Sequence, residues 1–134
     1  ICNPPYVRHH HLSVAEKQLL RELAIARSGI QLSGLAGLYC YFLLAAHEWM
    51  AEGGLACWLM PSEFMDVNYG RQIKSYLLNS VTLLRVHQFE PKDLQFGDAL
   101  VSSSVVWFRN TQPQQDHAVE FTFGGSIDKP LITK

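Results

Sequence analysis

The 134-residue sequence predicts an α/β fold, the C-terminal half of a Rossmann-like, mostly parallel sheet with an antiparallel hairpin at one edge. Two observations carry this expectation. Short apolar runs bounded by Gly, Pro or Asn alternate with segments of helical periodicity, and the last two clear runs are separated by a loop alone, with no helix between them.

Each element follows from local signals. Ile1 and Cys2 read as the last residues of a strand, stopped by Pro4 and Pro5. Leu12-Ser13-Val14-Ala15-Glu16 carries a capping box, in which the Ser13 hydroxyl accepts from the Glu16 amide and the Glu16 carboxylate accepts from the Ser13 amide, so a helix starts there. Leu19, Leu20 and Leu23 give that helix an apolar face, and Ser28-Gly29 stops it. After a polar connection, Leu35, Leu38, Phe42, Ala45 and Trp49 recur at helical spacing, a stripe that places Phe42, Trp49 and Met50 in the core. Gly53-Gly54 ends this second helix, and Leu55 to Met60, closed by Pro61, is a continuous apolar run expected to be a strand buried on both faces of a parallel sheet. A third helix is predicted from about Tyr69 to Leu78, with Ile73, Tyr76 and Leu77 inward and Asn79 as its stop. Leu83 to Phe89 and Val101 to Phe108 follow as strands, and Val119, Phe121 and Phe123 alternate as a last one.

Composition narrows the function classes. At 48% hydrophobic and 17% charged, the chain is neither disordered nor collagen-like. No apolar run approaches the roughly 20 residues of a membrane span, and the longest, Leu35 to Ala51, is broken by Gly37, His47 and Glu48. The three cysteines, an odd count in apolar settings, are expected to be buried free thiols of a reducing, cytoplasmic compartment. Residues 1–60 hold four basic and four acidic side chains and residues 61–134 seven and eight, so neither half carries a basic stripe. If a nucleic acid is the substrate, most of its electrostatic grip lies outside these residues. An opening at Ile1, without an initiator Met or a leader pattern, fits a fragment of a larger domain.

The chemistry concentrates in Asn3-Pro4-Pro5-Tyr6. Pro4 and Pro5 have fixed φ and no N–H to donate, and each pushes its predecessor to extended geometry, so the loop is stiff. Asn3 offers a side-chain carbonyl, Pro4 a backbone carbonyl and Tyr6 a flat ring for stacking. Two converging acceptors suit an NH₂ group. When that amine is conjugated to a ring, holding both its hydrogens favours a pyramidal nitrogen with an available lone pair, which is transition-state stabilisation without a strong base.

This tetrapeptide resembles the Asp/Asn/Ser-Pro-Pro-Tyr/Phe/Trp motif of S-adenosylmethionine-dependent amino-methyltransferases. The sequence beyond it is similar to the adenine-N6 DNA methyltransferases of restriction-modification systems, gamma arrangement. The similarity runs through Val7-Arg8, Leu38-Tyr39-Cys40-Tyr41-Phe42, Glu52-Gly53-Gly54-Leu55, Met60-Pro61-Ser62-Glu63-Phe64-Met65, Tyr69-Gly70-Arg71-Gln72-Ile73, Tyr76-Leu77-Leu78 and Gln95-Phe96-Gly97-Asp98-Ala99-Leu100-Val101-Ser102. It implies that Asn3 and Pro4 accept from the adenine amino group, that Tyr6 stacks on the flipped base, and that Asn3 also borders the cofactor, S-adenosyl-L-methionine. Pro5 and Arg8 fall on the substrate side, and Phe96 matches the second aromatic that sandwiches the base. Extrusion of the base is implied because a stacked, paired adenine cannot present its amino group to a methyl donor.

The same resemblance implies double-stranded DNA as partner, with a restriction or specificity subunit. It divides the chain into residues 1–110, the C-terminal half of a catalytic domain, and 111–134, a lead-in toward a target-recognition region. The family's cofactor strands, with their glycine-rich turn, would precede Ile1. Two other readings stay open: methylation of a protein glutamine or an RNA guanine, both served by Asn-Pro-Pro-Tyr, and an inactive fragment or interaction module. An exposed sheet in such a fragment predicts self-association. His9-His10-His11 is not read as a metal site, since three consecutive side chains cannot converge on one ion in regular structure.

Overall fold

In the computed structural model, which describes residues 1–92 and 102–134, the helices are α1 (Val14–Ser28), α2 (Leu38–Ala46) and α3 (Gly70–Asn79). The strands are β1 (Leu55–Pro61), β2 (Thr82–Gln88), β3 (Ser103–Arg109), β4 (Glu120–Gly125) and β5 (Pro130–Thr133), and single 3-10 turns lie at His9–His11, His47–Trp49 and Ser62–Met65. The local signals that start and stop the helices act as expected. Ser13 and Glu16 form the reciprocal capping box, and Gly29 closes α1 in the left-handed conformation at φ 71°. In α3 the residues Ile73, Tyr76 and Leu77 are buried, and the helix ends at Asn79.

The strands form one α/β sheet in the order β1-β3-β2-β4-β5. The anticipated antiparallel hairpin is β2 and β3, but β3 inserts between β1 and β2 instead of lying at an edge, and β4 and β5 extend the sheet past β2. Pairing on both sides satisfies the ladder groups of β1 and β2 together, where an edge position would satisfy only one of them. Among the described residues the sheet is therefore mixed, with parallel pairing between β2 and β4 and at a bridge between Cys2 and Trp58.

The core lies between this sheet and the helices. Ala56, Trp58, Met60, Val86, Val106 and Phe108 pack with Tyr39, Cys40, Leu43 and Leu44 of α2 and with Ile73, Tyr76 and Leu77 of α3. The Tyr76 ring meets Phe108 edge-on, and its hydroxyl is 2.9 Å from Nδ1 of His47, which satisfies a phenol that is otherwise buried.

Three expectations about burial are corrected. In α2 the buried residues are Tyr39, Cys40, Tyr41, Leu43 and Leu44, while Leu35 before the helix, Phe42 within it and Trp49 in the turn after it are 58%, 41% and 80% exposed, and Met50 packs partly buried against the core. The helix is apolar on nearly every side, so periodicity alone did not single out the inward face. Leu19 and Leu23 of α1 are likewise exposed, and Ala24 is the residue that α1 buries, with Leu20 packed partly beside it. Strand β1 buries Ala56, Trp58 and Met60 on the helix face and leaves Cys57 and Leu59 half-buried on the other, where Pro61 at the strand end is buried. The cysteines are free, but only Cys40 is fully buried.

Gly70 opens α3 directly over the preceding turn. A Cβ there would stand 1.7 Å from the Phe64 carbonyl oxygen, an overlap no rotamer relieves. Gly70→Ala is expected to destabilise the chain by roughly 3 kcal/mol or more, whereas Ser13→Ala, which removes only a cap, costs about 1 kcal/mol. Urea denaturation measures both, and equal midpoints for the two variants would contradict this ranking.

Candidate active site

The Asn3-Pro4-Pro5-Tyr6 loop leaves the sheet where Cys2 joins β1. The Cys2 amide donates to the Cys57 carbonyl at 2.9 Å, and the Leu59 amide donates to the Cys2 carbonyl at 3.0 Å, the alternation of a parallel pairing. Asn3 thus follows directly on a strand end, at the side of an open sheet where ligands bind. Two further bonds fasten the loop. The Tyr6 hydroxyl donates to the Leu59 carbonyl at 2.9 Å, and the Leu38 amide at the start of α2 donates to the Val7 carbonyl at 2.9 Å.

Within this anchored loop Pro4 is buried, whereas Asn3 and Pro5 are exposed. Among the described residues no group donates to the Asn3 side chain or to the Pro4 carbonyl. The two acceptors singled out by sequence therefore have no donor among the described residues and sit on a rigid support. Tyr6 is half-buried and its ring meets Tyr39 edge-on, with centroids 6.4 Å apart and planes at 77°. Burial pushes the Tyr6 phenol up to about 12, so at neutral pH the side chain is uncharged and its hydroxyl a donor.

A cleft runs beside the loop. Its inner part is lined by Tyr6, Val7, Arg8, Gly37, Tyr39 and Glu63, and past Arg8 it opens into a hollow of about 290 Å³ walled by His9, His10, Leu35 and Tyr69. Arg8 is exposed at its mouth. The His10 imidazole is lowered from the ordinary histidine value, through loss of hydration and then the neighbouring His11, His9, Arg8 and Lys17, so it is neutral at pH 7. Among the described residues no cluster of His, Cys, Asp and Glu is arranged to hold a metal ion. The thiols of Cys2, Cys40 and Cys57 are all raised by burial, which removes the thiolate a nucleophile needs. A second hollow, lined by Met65, Val86, Phe121, Phe123 and Ile132, is mainly apolar and contains none of the motif.

The structure brings Asn3, Pro4, Tyr6 and Arg8 to one end of the sheet, with Pro5 on the exposed side of the loop. Phe96 lies outside the described residues. Sequence reasoning missed Tyr39, Glu63 and Tyr69 as cleft residues and the Leu59 carbonyl as the anchor of Tyr6. The glycine at 37, placed just before an apolar helix, was the available signal: a Cβ there would come within 3.3 Å of the Tyr39 ring and 3.4 Å of the Val7 carbonyl.

A motif loop at a strand end, with crossover helices and an antiparallel strand inserted in the sheet, is the architecture of the class I methyltransferase fold. Solved structures with this arrangement include the type IIG restriction endonuclease BpuSI (TM-score 0.61, 18% identity, 90% of this chain and 14% of that one). A type I restriction-modification methyltransferase subunit from Streptococcus thermophilus also shares it (TM-score 0.61, 15% identity, 90% and 25%). A Listeria monocytogenes structure described as a class I S-adenosylmethionine-dependent methyltransferase matches as well (TM-score 0.56, 14% identity, 73% and 30%).

Residues 1–95 match the Eco57I restriction-modification methylase family, and the chain belongs to that family. It is 33% identical over 110 residues to the type II methyltransferase M.AccI of Acinetobacter calcoaceticus, covering 82% of this chain and 20% of the relative. It is 31% identical over 121 residues to M.XamI of Xanthomonas campestris pv. amaranthicola, covering 90% and 23%. The chain thus spans about a fifth of the length of these curated relatives.

The Tyr6–Leu59 bond gives a test of the anchored loop. Tyr6→Phe leaves the Leu59 carbonyl without its donor and is expected to cost about 1 kcal/mol in denaturant unfolding. The folded phenol holds its proton more tightly than the unfolded one, so its contribution is complete below pH 10 and is lost as pH rises toward about 12. Tyr6→Phe should flatten the fall in stability over that range, and an unchanged slope would contradict the assignment.

Proposed function

We propose that this chain carries the base-binding part of an adenine-N6 DNA methyltransferase acting within a restriction-modification system, with double-stranded DNA as substrate and S-adenosyl-L-methionine as methyl donor. The observation that supports this most is the pair of acceptors, Asn3 and Pro4, without a donor among the described residues, on a proline-stiffened loop beside the Tyr6 ring. An exocyclic aromatic amine has its lone pair delocalised into the ring. Accepting one N–H at the Asn3 side chain and the other at the Pro4 carbonyl, out of the ring plane, localises that pair on nitrogen. The Tyr6 ring stacks on the extruded base and offsets roughly 1 to 3 kcal/mol of the unstacking cost. Arg8, at the cleft mouth, pairs with a backbone phosphate next to the extruded nucleotide.

The donor set also fits one side of the cofactor: the exposed Asn3 amide stands at a strand end, where the methyl group must meet the amine. When bound, S-adenosylmethionine supplies an electrophilic methyl group on sulfur. No Gly-x-Gly turn occurs in the 134 residues, so most contacts to the cofactor come from elsewhere in the catalytic domain. In this reading residues 1–110 are the C-terminal half of that domain and 111–134 lead toward target recognition. Among the described residues no helix is long and apolar enough to cross a membrane, in keeping with a cytoplasmic enzyme associated with a restriction or specificity subunit.

In the natural polypeptide that carries this chain, Asn3→Ala and Tyr6→Ala are expected to lower labelled-methyl transfer to duplex DNA by about 100-fold or more, with thermal unfolding of the Asn3 variant unchanged. Full activity in both variants would refute the reading. Transfer to a protein glutamine or an RNA guanine in place of DNA adenine would keep the chemistry and overturn the substrate.

The exposed Phe42, Trp49, Leu55 and Ile1 leave apolar surface on the isolated 134-residue chain. That chain is expected to self-associate, and a monodisperse monomer by light scattering would show otherwise.

A further inference from the structure

The histidine turn that follows the motif loop has no part in the chemistry assigned to Asn3, Pro4 and Tyr6. His9, His10 and His11 form one 3-10 turn preceded by Arg8, and the His9 and His10 rings stand 5.5 Å apart at 90°. Successive side chains of such a turn point about 120° apart, so these rings do not converge on the single point a metal ion would occupy. His9 and His10 instead join Arg8 in walling the hollow of about 290 Å³, which shares Arg8, Gly37 and Glu63 with the inner cleft. Two rings at right angles beside a guanidinium enclose a space, which suits an anion with several acceptor oxygens.

The charged groups along this wall share one sign. His9 and His11 on the turn, Arg8 before it and Lys17 of α1 all act on His10. Among the described residues the rest of the hollow offers Leu35, Tyr69 and one carboxylate, that of Glu63, which faces the Tyr69 hydroxyl. Among the same residues no ion pair engages Arg8, His9 or His10. Loss of hydration and then the neighbouring cations disfavour a proton on His10. An anion seated on the wall reverses the second effect, because an opposite charge favours the protonated ring, and each protonated imidazole then has two N–H donors in place of one. Glu63 repels the same anion and keeps it on the Arg8 side.

We propose that Arg8, His9 and His10 form a phosphodiester site that grips the DNA backbone beside the extruded nucleotide and takes up a proton as it binds. This rests on the reading of DNA as substrate, and the experiment separates the two. Fluorescence anisotropy of a labelled duplex of mixed sequence gives Kd for the natural polypeptide that carries this chain. Proton uptake makes binding tighter as pH falls, because the bound phosphate raises the imidazole above its free value. Kd is expected to tighten about tenfold from pH 8 to pH 6, and the slope of log Kd against log salt to steepen by about one. Replacing both rings, by His9→Gln with His10→Gln, should reduce that tightening to about twofold. Arg8→Gln, which removes a permanent charge, should weaken binding by a similar factor at both pH values. His11 lies on the same turn but not on the wall, so His11→Gln is expected to keep most of the pH dependence. Equal losses for His9→Gln and His11→Gln would reduce the effect to general surface charge and overturn the site. Should the double variant fail to fold, His10→Gln alone, at an exposed position, is expected to remove about half of the tightening. If the unmodified protein binds no duplex at either pH, the DNA reading fails. If it binds duplex and the histidine variants keep its full pH dependence, the phosphodiester site alone is overturned.

Discussion

The geometry of the loop depends on one peptide unit pair in β1. Leu59 donates its amide to Cys2 and accepts the Tyr6 hydroxyl at its carbonyl, so a single residue holds the loop at its entry and at its aromatic end. Each bond contributes on the order of 1 kcal/mol net, which is little against the whole fold. Their effect is large because the span between them contains two prolines, whose fixed φ values leave few backbone angles to adjust. Asn3 and Pro4 are therefore held by their neighbours, and among the described residues nothing donates to their own acceptors.

The sheet topology then determines what surrounds that loop. Because β3 runs between β1 and β2, its first residues come in at the carboxyl ends of both, with Pro61 opposite Ser103 and Gln88 opposite Ser104. The Ser62 amide donates to the Ser102 carbonyl at 2.8 Å and the Phe89 amide to the Ser103 carbonyl at 3.0 Å, which ties this corner together. The turn after β1 brings Glu63 and the start of α3 brings Tyr69 to the same end. The motif loop and the segment after β1, distant in sequence, thus wall one cleft.

Much of this was legible in the sequence where the signal is local. The capping box at Ser13 and Glu16, the glycine stop at Gly29 and the face of α3 all depend on residues within one or two helical turns. The motif loop was legible for the same reason, since Asn3-Pro4-Pro5-Tyr6 carries its acceptors, its rigidity and its ring in one tetrapeptide. The buried face of α2 was not, because Leu38 to Ala46 offers apolar side chains in every direction and only packing selects among them. The insertion of β3 was hidden because pairing partners in a sheet are set by the path of the whole chain, which a strand's own residues do not specify. Tyr39 looked like any aromatic in an apolar helix until its distance to Tyr6 was known.

Leu59 also shows how a position can be indispensable and yet permissive. What the loop uses is its amide and its carbonyl, which every residue but proline provides, while its half-buried side chain faces away from the helices. Replacement by Val, Ile or Met preserves both bonds, and replacement by Pro deletes the donor to Cys2 and frees the strand end. Substitution tolerance at this position would look like that of an ordinary surface strand, although the placement of the motif runs through it. A mutational scan that scores side chains alone would pass over the residue that anchors the loop.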